Sequence, residues 1–309
     1  MILSKFHHYK KIIQRIKSAV SSLNQLHTKN ELILINQGRI LSNLNSKIDS
    51  QDLRNYEFKV FSQWGEDGII QYLTQILEIP NKTFIEFGVE DYSESNTRFL
   101  LMKDNWSGFI VDNSKQNIDK IKNSSLTWKY ELNPFCAFLT SENINEILLS
   151  SNFSEDLGLL SIDVDGLDLH FLDALNSYKP RILIVEYNSL FGSTRKITVP
   201  YKEKFFRTNE HYSNLYYGAS LAAINFIASK KGYKLVGTNS NGVNAFFVRE
   251  DIVPNNWKLR NVEDLFTARK FRESRDSQGK LTHLTQEQSI EIISGLPVLN
   301  VETGMLEII

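Results

Sequence analysis

Four short, unbroken apolar runs, each delivering a carboxylate or a glycine at or near its C-terminal end, constrain this chain more than any other feature. They are Phe84–Gly88 (FIEFG), Gly108–Asp112 (GFIVD), Leu157–Asp163 (LGLLSID) and Arg181–Glu186 (RILIVE). Each has the length and the β-branched or aromatic content of a strand. Continuous rather than alternating apolarity means that both faces are covered, which a parallel sheet between two layers of helices provides. Helical segments are predicted in the gaps between the runs, at Asn96–Met102, Lys115–Ile121, Glu142–Leu149 and Leu169–Leu175.

A longer helix, Ala219–Lys231, carries Leu221, Ile224, Phe226 and Ile227 on its apolar stripe and leads into Tyr233–Val236 and Ala245–Val248. The two runs are separated by the turn-rich TNSNGVN, and strands joined that tightly form an antiparallel hairpin. A parallel α/β sheet closed by a C-terminal antiparallel hairpin is the Rossmann-like architecture of class I methyltransferases, and that is the expected fold.

Both flanks read differently from this core. From Ile2 to Leu23, the residues Leu3, Phe6, Ile12, Ile13, Ile16, Val20 and Leu23 recur at helical spacing, with Lys5, Lys10, Lys11, Arg15 and Lys17 between them. A second helical stretch follows, with Leu34, Leu41 and Ile48 seven apart and Leu44 at an intervening position. Residues 1–55 are therefore read as a helical pair packing on its own domain. A dimerising coiled coil or contact with an anionic membrane surface, through residues 1–50, are the alternatives. Residues 56–250 form the α/β domain and 251–309 an appended lobe. There Phe271–Asp276 is dense in both charge signs, Gly279–Leu284 reads as a turn into a strand and Glu287–Ile293 as a short helix.

Composition narrows the function classes. With 309 residues and 41% hydrophobic content the chain can bury a large core, which excludes intrinsic disorder. Lys plus Arg number 35 against 36 Asp plus Glu, so no bulk cationic field exists to hold phosphate backbones, and nucleic acid is not an expected partner. One cysteine, Cys136, cannot form an internal disulfide or a CxxC-type zinc site. No apolar run reaches the ~18 residues of a transmembrane helix, and the N-terminus lacks the pattern of a signal peptide. A soluble, cytoplasmic protein is the expectation. Only 15 glycines are present, and phosphate-cradling sites are usually glycine-rich.

In an open α/β sheet, ligands bind beyond the carboxyl ends of the strands, where the chain order reverses. At the first such end stand Glu86, Gly88, Glu90 and Asp91, and the polar turn that follows enters a helix near Asn96 and Thr97. Gly88 permits a sharp turn and close approach of a ligand, and the free N–H groups of the helix face the same crevice. The turn reads GVEDYS rather than GxGxxG. Glu90 therefore stands where a second glycine would admit a phosphate, and its charge repels one while suiting a cationic ligand. The second run ends at Asp112, beside Asn113, at the ~20-residue offset from Gly88 where a carboxylate accepts hydrogen bonds from ribose hydroxyls.

The third run ends in Ser161-Ile-Asp-Val-Asp-Gly-Leu-Asp168, where two chemistries compete. Asp163 and Asp165 form a DxD that could hold a divalent metal on a nucleotide-sugar diphosphate. Alternatively they line a methyl-transfer pocket, one placing the donor and the other orienting or deprotonating a hydroxyl. Asp165-Gly166 with Asp168 also reads as a strand-to-helix turn. Beyond Glu186 come Tyr187 and Asn188, then His211, Tyr212 and Asn214 in a glycine-ended loop; rings and amides of this kind make a carbohydrate-facing wall. His211 and Glu186 are competing candidates for the base.

The segments Phe61-Ser-Gln-Trp-Gly-Glu-Asp-Gly-Ile-Ile70, Phe84-Ile-Glu-Phe-Gly-Val-Glu-Asp91 with Asn96-Thr97, and Ile162-Asp-Val-Asp-Gly166 together resemble the FkbM-type family of S-adenosylmethionine-dependent O-methyltransferases. The likeness is to the branch found in bacterial glycan and polysaccharide clusters, and it runs from about Phe61 to Val248. It implies S-adenosylmethionine as donor and a sugar or other hydroxyl as acceptor. By position it implies that Gly88 and its neighbours meet the methionine part of the donor, Asp112 the ribose and Asp163 the reacting methyl. The SQWGED segment lies where such enzymes fold a helix or loop over the donor, making Gln63, Glu66 and Asp67 candidates for donor or acceptor contacts. A cap at Ser62 is the competing reading. Methyl transfer requires no protein metal, and none is expected. A metal-dependent glycosyltransferase using Asp163 and Asp165, and a non-catalytic methyltransferase-like scaffold, are the alternative functions.

Overall fold

The computed structural model describes residues 2–309, and the side chains of all of these except 2–10, 24 and 27. Leu3, Lys5, Phe6 and Lys10 of the predicted basic stripe therefore lie outside the described side chains. In chain order, α1 (Ile2–Asn45) and α2 (Glu66–Ile76) precede β1 (Thr83–Phe87); α3 (Arg98–Asp104) leads to β2 (Ser107–Asp112). Next come α4 (Lys115–Lys122), the single turn α5 (Leu126–Lys129), β3 (Leu132–Cys136), α6 (Ile144–Leu149), β4 (Leu159–Ile162), α7 (Asp168–Ala174) and β5 (Ile182–Glu186). The chain continues through β6 (Ile197–Thr198), α8 (Arg207–Glu210), α9 (Leu221–Lys230), β7 (Tyr233–Thr238) and β8 (Asn244–Arg249). It ends with α10 (Val262–Leu265), α11 (Gln286–Ile293), β9 (Pro297–Asn300) and β10 (Leu306–Ile308).

The main sheet has the order β3-β2-β1-β4-β5-β8-β7. The first five strands are parallel, β8 runs antiparallel to β5, and β7 pairs antiparallel with β8. This is the expected class I, Rossmann-like sheet closed by an antiparallel hairpin. The apolar runs are continuous because alternate residues enter different cores. Ile85, Phe87, Phe109, Val111, Leu160, Ile162, Leu183 and Val185 face α6, α7 and α9. Phe84, Ile110, Leu159, Ile182 and Ile184 face the other side, with residues of α2, α3 and α4. Removing such a side chain from water contributes about 1.5–3 kcal/mol, so both layers hold the strand ends in place.

Several expectations needed correction. The predicted helical pair is one continuous helix, α1; no proline interrupts the chain before Asn45. Its C-terminal part docks on the domain through Ile35, Gly38 and Ser42, while Ile13, Ile16, Val20 and Leu23 are exposed. β3 had no counterpart in the sequence reading. It contains Pro134, and its burial alternates, as suits an edge strand with one pairing side free. The predicted strand at Gly279–Leu284 is reduced to an isolated bridge between Arg275 and Leu281. Strand structure at the C-terminus lies instead in β9 and β10, which complete a three-stranded antiparallel sheet on β6. Residues after 250 share the main core through Leu265, Ile293 and Val298. Among the described residues no helix is long and apolar enough to cross a membrane.

Candidate functional site

Connections leave β1 and β4 in opposite directions across the sheet, so the crevice between their carboxyl ends is the topological switch point. A cavity of about 730 Å³ opens there, walled by residues at the carboxyl ends of β1, β2, β4 and β5: Gly88, Asp112, Asp163 and Glu186. Gly88 has φ +74°, and a Cβ on it would lie 1.6 Å from the carbonyl oxygen of Asp163. The exits of β1 and β4 thus meet backbone to backbone, and only glycine permits it.

Downstream of Gly88 the turn takes a conformation that the residue types do not advertise. Glu90 (φ +46°) and Tyr92 (φ +61°) are both left-handed without being glycine, a strained state that surrounding structure must hold. Asp112 does part of this: its Oδ2 accepts from the Glu90 N–H at 2.9 Å and its Oδ1 from the Ser114 N–H at 2.7 Å. The buried Tyr92 hydroxyl shares a hydrogen bond of 2.9 Å with Thr97 Oγ1.

Glu86 lines the cavity but its carboxylate turns back into the protein. Oε2 accepts from the hydroxyls of Ser95 and Thr97, and Oε1 from the Asn96 N–H. It closes the turn before α3, an anionic acceptor at a helix start. Burial pushes its carboxyl up, and the donors of Ser95 and Thr97 pull it back.

The chemically dense part is the floor. One carboxylate oxygen from each of Asp163, Asp168 and Glu186 lies within 4.8 Å of the others. Asp168 is anchored there: it accepts from the N–H groups of Val164 (2.9 Å) and Gly166 (3.1 Å), so the strand-to-helix turn expected at this point forms. Glu186 Oε2 is buried and unpartnered. Burial and then repulsion from Asp168 raise the Asp163 carboxyl well above its ordinary range, and burial and Asp163 do the same to Glu186. Burial brings Asp168 up to about 7. Asp165 is elsewhere: it has φ +56°, its side chain is 74% exposed, and it faces Arg207 Nη1 at 3.6 Å. Asp165 contributes no oxygen to the Asp163–Asp168–Glu186 cluster.

The structure brings Gln63, Glu86, Gly88, Glu90, Asn96, Asp112, Asn113, Asp163, Asp165, Glu186 and Asn214 to one cavity wall. It does not bring the other predicted site residues there. Asp67 is buried, and its Oδ2 accepts from the N–H groups of Val60, Phe61 and Ser62 and from the Ser62 hydroxyl; the N-cap of α2 is Gly65 rather than Ser62, whose Oγ accepts from the Asp67 N–H at 3.1 Å. Glu66 is buried and takes the amides of Asn239 and Asn244. Asp91 pairs with Lys120, and the Thr97 hydroxyl is engaged by Glu86. Tyr187 is buried with its hydroxyl on the Thr267 carbonyl, and the Asn188 amide donates to the carbonyls of Leu215 and Tyr217. His211 and Tyr212 sit against each other off the wall, with His211 Nδ1 2.7 Å from Ser213 Oγ. These groups support the loops around the cavity rather than line it.

Sequence reasoning missed Arg207, whose guanidinium lies 4.0 Å from the centre of the Tyr217 ring while its Nε donates to the Asn214 carbonyl at 2.6 Å. It sits in the charged stretch KEKFFR, where nothing distinguishes it from a solvated arginine. Asn244 was also missed, because its place opposite Glu186 is set by the register of β8 against the distant strand β5. Chemically the cavity can accept hydrogen bonds from hydroxyls, hold a proton or cation at its floor, and cover a flat apolar group with Val111, Ala137, Phe138 and Leu139.

No protein-family profile matches this chain, and no curated protein matches it. Among solved structures, it is similar to PKMT2 from Rickettsia typhi in complex with AdoHcy: 12% identity, TM-score 0.41, covering 62% of this chain and 54% of that one. It is also similar to the pyocyanin biosynthetic protein PhzM, with 8% identity, TM-score 0.36 and coverage of 58% and 54%. The CurJ carbon methyltransferase gives 12% identity, TM-score 0.37 and coverage of 59% and 52%. The chain spans about half the length of each of these three proteins.

Proposed function

We propose that the chain is an S-adenosylmethionine-dependent methyltransferase acting on an oxygen of a small hydroxylated acceptor. Its resemblance to the FkbM-type family makes a sugar of a glycan or polysaccharide the acceptor class of choice. The observation that carries the reading is the convergence of Gly88, Asp112 and Asp163 on one cavity at the switch point.

The residues present suit such a donor. Each Asp112 oxygen accepts one backbone N–H and keeps acceptor capacity for a ribose hydroxyl. Val111, Ala137, Phe138 and Leu139 offer an apolar seat for a flat base, and the volume lies in the range of ligand pockets. Glu90 and Asp163 on the wall favour a cation and oppose a pyrophosphate. When bound, the donor supplies a methyl group already activated on a sulfonium sulfur. The protein's part is to align the acceptor oxygen, exclude water and take up one proton. Glu186 Oε2, buried and unpartnered beside Asp163, is an open acceptor at the cavity floor.

Calorimetry with S-adenosylhomocysteine tests the reading. The folded chain is expected to bind it, and Asp112→Ala, checked by circular dichroism for folding, to weaken binding at least about tenfold, or 1.4 kcal/mol. Absence of binding to folded wild-type protein overturns it.

A further inference from the structure

We propose that Asp163, Asp168 and Glu186 hold one divalent cation of the hard, oxygen-seeking class, Mg²⁺, Mn²⁺ or Ca²⁺, at the cavity floor. This deepens the methyl-transfer reading by giving the same site a means of seating its acceptor, and departs from the metal-free expectation of the sequence.

Geometry is the first ground. Metal–oxygen distances for these ions run from about 2.0 to 2.6 Å, so ligands on opposite sides of one ion lie about 4–5 Å apart. Oxygens within 4.8 Å of one another can share one. The second ground is a group outside the acidic cluster. Asn244 is 3% exposed, lies on the cavity wall and pairs directly with Glu186 across the β5–β8 ladder. Directly opposed residues project from the same face of a sheet. Its Nδ2 donates to Glu66 Oε1 at 3.0 Å, and that oxygen also accepts from Asn239 at 2.7 Å. Flipping the amide would set oxygen against carboxylate, so the orientation is fixed and Oδ1 is left buried without a donor. Glu186 Oε2 is buried without a donor as well.

Two buried acceptors, Glu186 Oε2 and Asn244 Oδ1, are therefore reached by no donor. A proton shared between carboxylates would satisfy one pair and leave the Asn244 oxygen orphaned. Arg207 Nη2 is a buried donor without a hydrogen bond, yet it makes none to Glu186 Oε2 or Asn244 Oδ1, and its guanidinium faces Asp165 at 3.6 Å and Glu273 at 3.8 Å. A cation satisfies the three carboxylates together. Carboxylate and amide oxygens without thiol or imidazole select hard ions over zinc or copper. Asp163 and Glu186 are on the wall while Asp168 lies beneath, so remaining coordination positions open into the cavity. Two neighbouring hydroxyls of an acceptor, such as a sugar diol, are the ligands that fill adjacent positions.

The test is titration of the full chain with Mn²⁺, followed by loss of the free-ion electron paramagnetic resonance signal, with no donor present. The expected result is one Mn²⁺ per chain, displaced by Mg²⁺ or Ca²⁺, with affinity reduced at least tenfold in Asp163→Asn and Glu186→Gln and changed less than twofold in Asp165→Asn. As a measurement that needs no variant, Fe²⁺ with ascorbate and peroxide should cleave the wild-type backbone near residues 163–168 and 186, and Mn²⁺ should protect it. Failure to bind one Mn²⁺ at millimolar concentration, binding that survives both variants or disappears in Asp165→Asn, or cleavage elsewhere overturns the proposal. Binding of S-adenosylhomocysteine without metal reports on the donor alone, so either reading can fail without the other.

Discussion

Gly88 and Asp163 touch through their backbones, so the site is set by main-chain geometry before any side chain acts. Gly88→Ala would place a methyl group 1.6 Å from a carbonyl oxygen at φ +74°. We expect it to cost more than about 3 kcal/mol in urea unfolding and to abolish S-adenosylhomocysteine binding in whatever fraction folds; near wild-type stability would refute the close approach. Gly88, Asp112 and Asp163 were legible in the sequence because strand ends can be located from apolar runs, and strand ends in such sheets face the ligand. The role of Glu86 was not legible. Whether a carboxylate at a strand end turns outward or back to Ser95, Asn96 and Thr97 depends on the path of the next turn. Glu90 and Tyr92 adopt left-handed backbone that their residue types disfavour, and only the tertiary bonds of Asp112 and Thr97 show what holds it. His211 and Tyr187 looked like wall residues by composition, yet loop paths decide which side of a loop faces a cavity.

Helices and strands were legible to the extent that packing left a pattern in the residues. β1, β2, β4 and β5 are buried on both faces and so appear as unbroken runs; β3 is half-exposed, contains a proline and leaves no such trace. The end of α1 is fixed by contacts that the spacing of leucines does not reveal. Gly38 lies against Phe99 and Val60, where a Cβ would come within 2.5 Å and 2.6 Å of side-chain atoms. Near it the buried Arg98 guanidinium pairs with Glu31 and lies over the Phe61 ring. Gly38→Leu is therefore expected to undock α1 from α2 and α3, lowering stability by about 1–3 kcal/mol through overpacking. Limited proteolysis should then release the N-terminal helix while leaving the α/β domain intact, and an unchanged digestion pattern would contradict this docking.

For the molecule as a whole, net charge is a poor guide to the field that a ligand meets. The formal charge is -1, yet the cavity is lined by nine carboxylates against a single guanidinium, that of Arg207. An acidic chamber in a nearly neutral protein acts on the rate and direction of traffic rather than on the fold. The methyl donor carries a positive sulfonium, and transfer of its methyl leaves an uncharged thioether. Under the proposed function the acidic lining attracts the molecule that arrives and loosens its grip on the one that must leave. Because this attraction is screened over about 8 Å at physiological ionic strength, added salt should slow association of S-adenosylmethionine in stopped-flow fluorescence several-fold more than that of S-adenosylhomocysteine. Equal salt sensitivity of the two would mean that the chamber's charge is already neutralised from within.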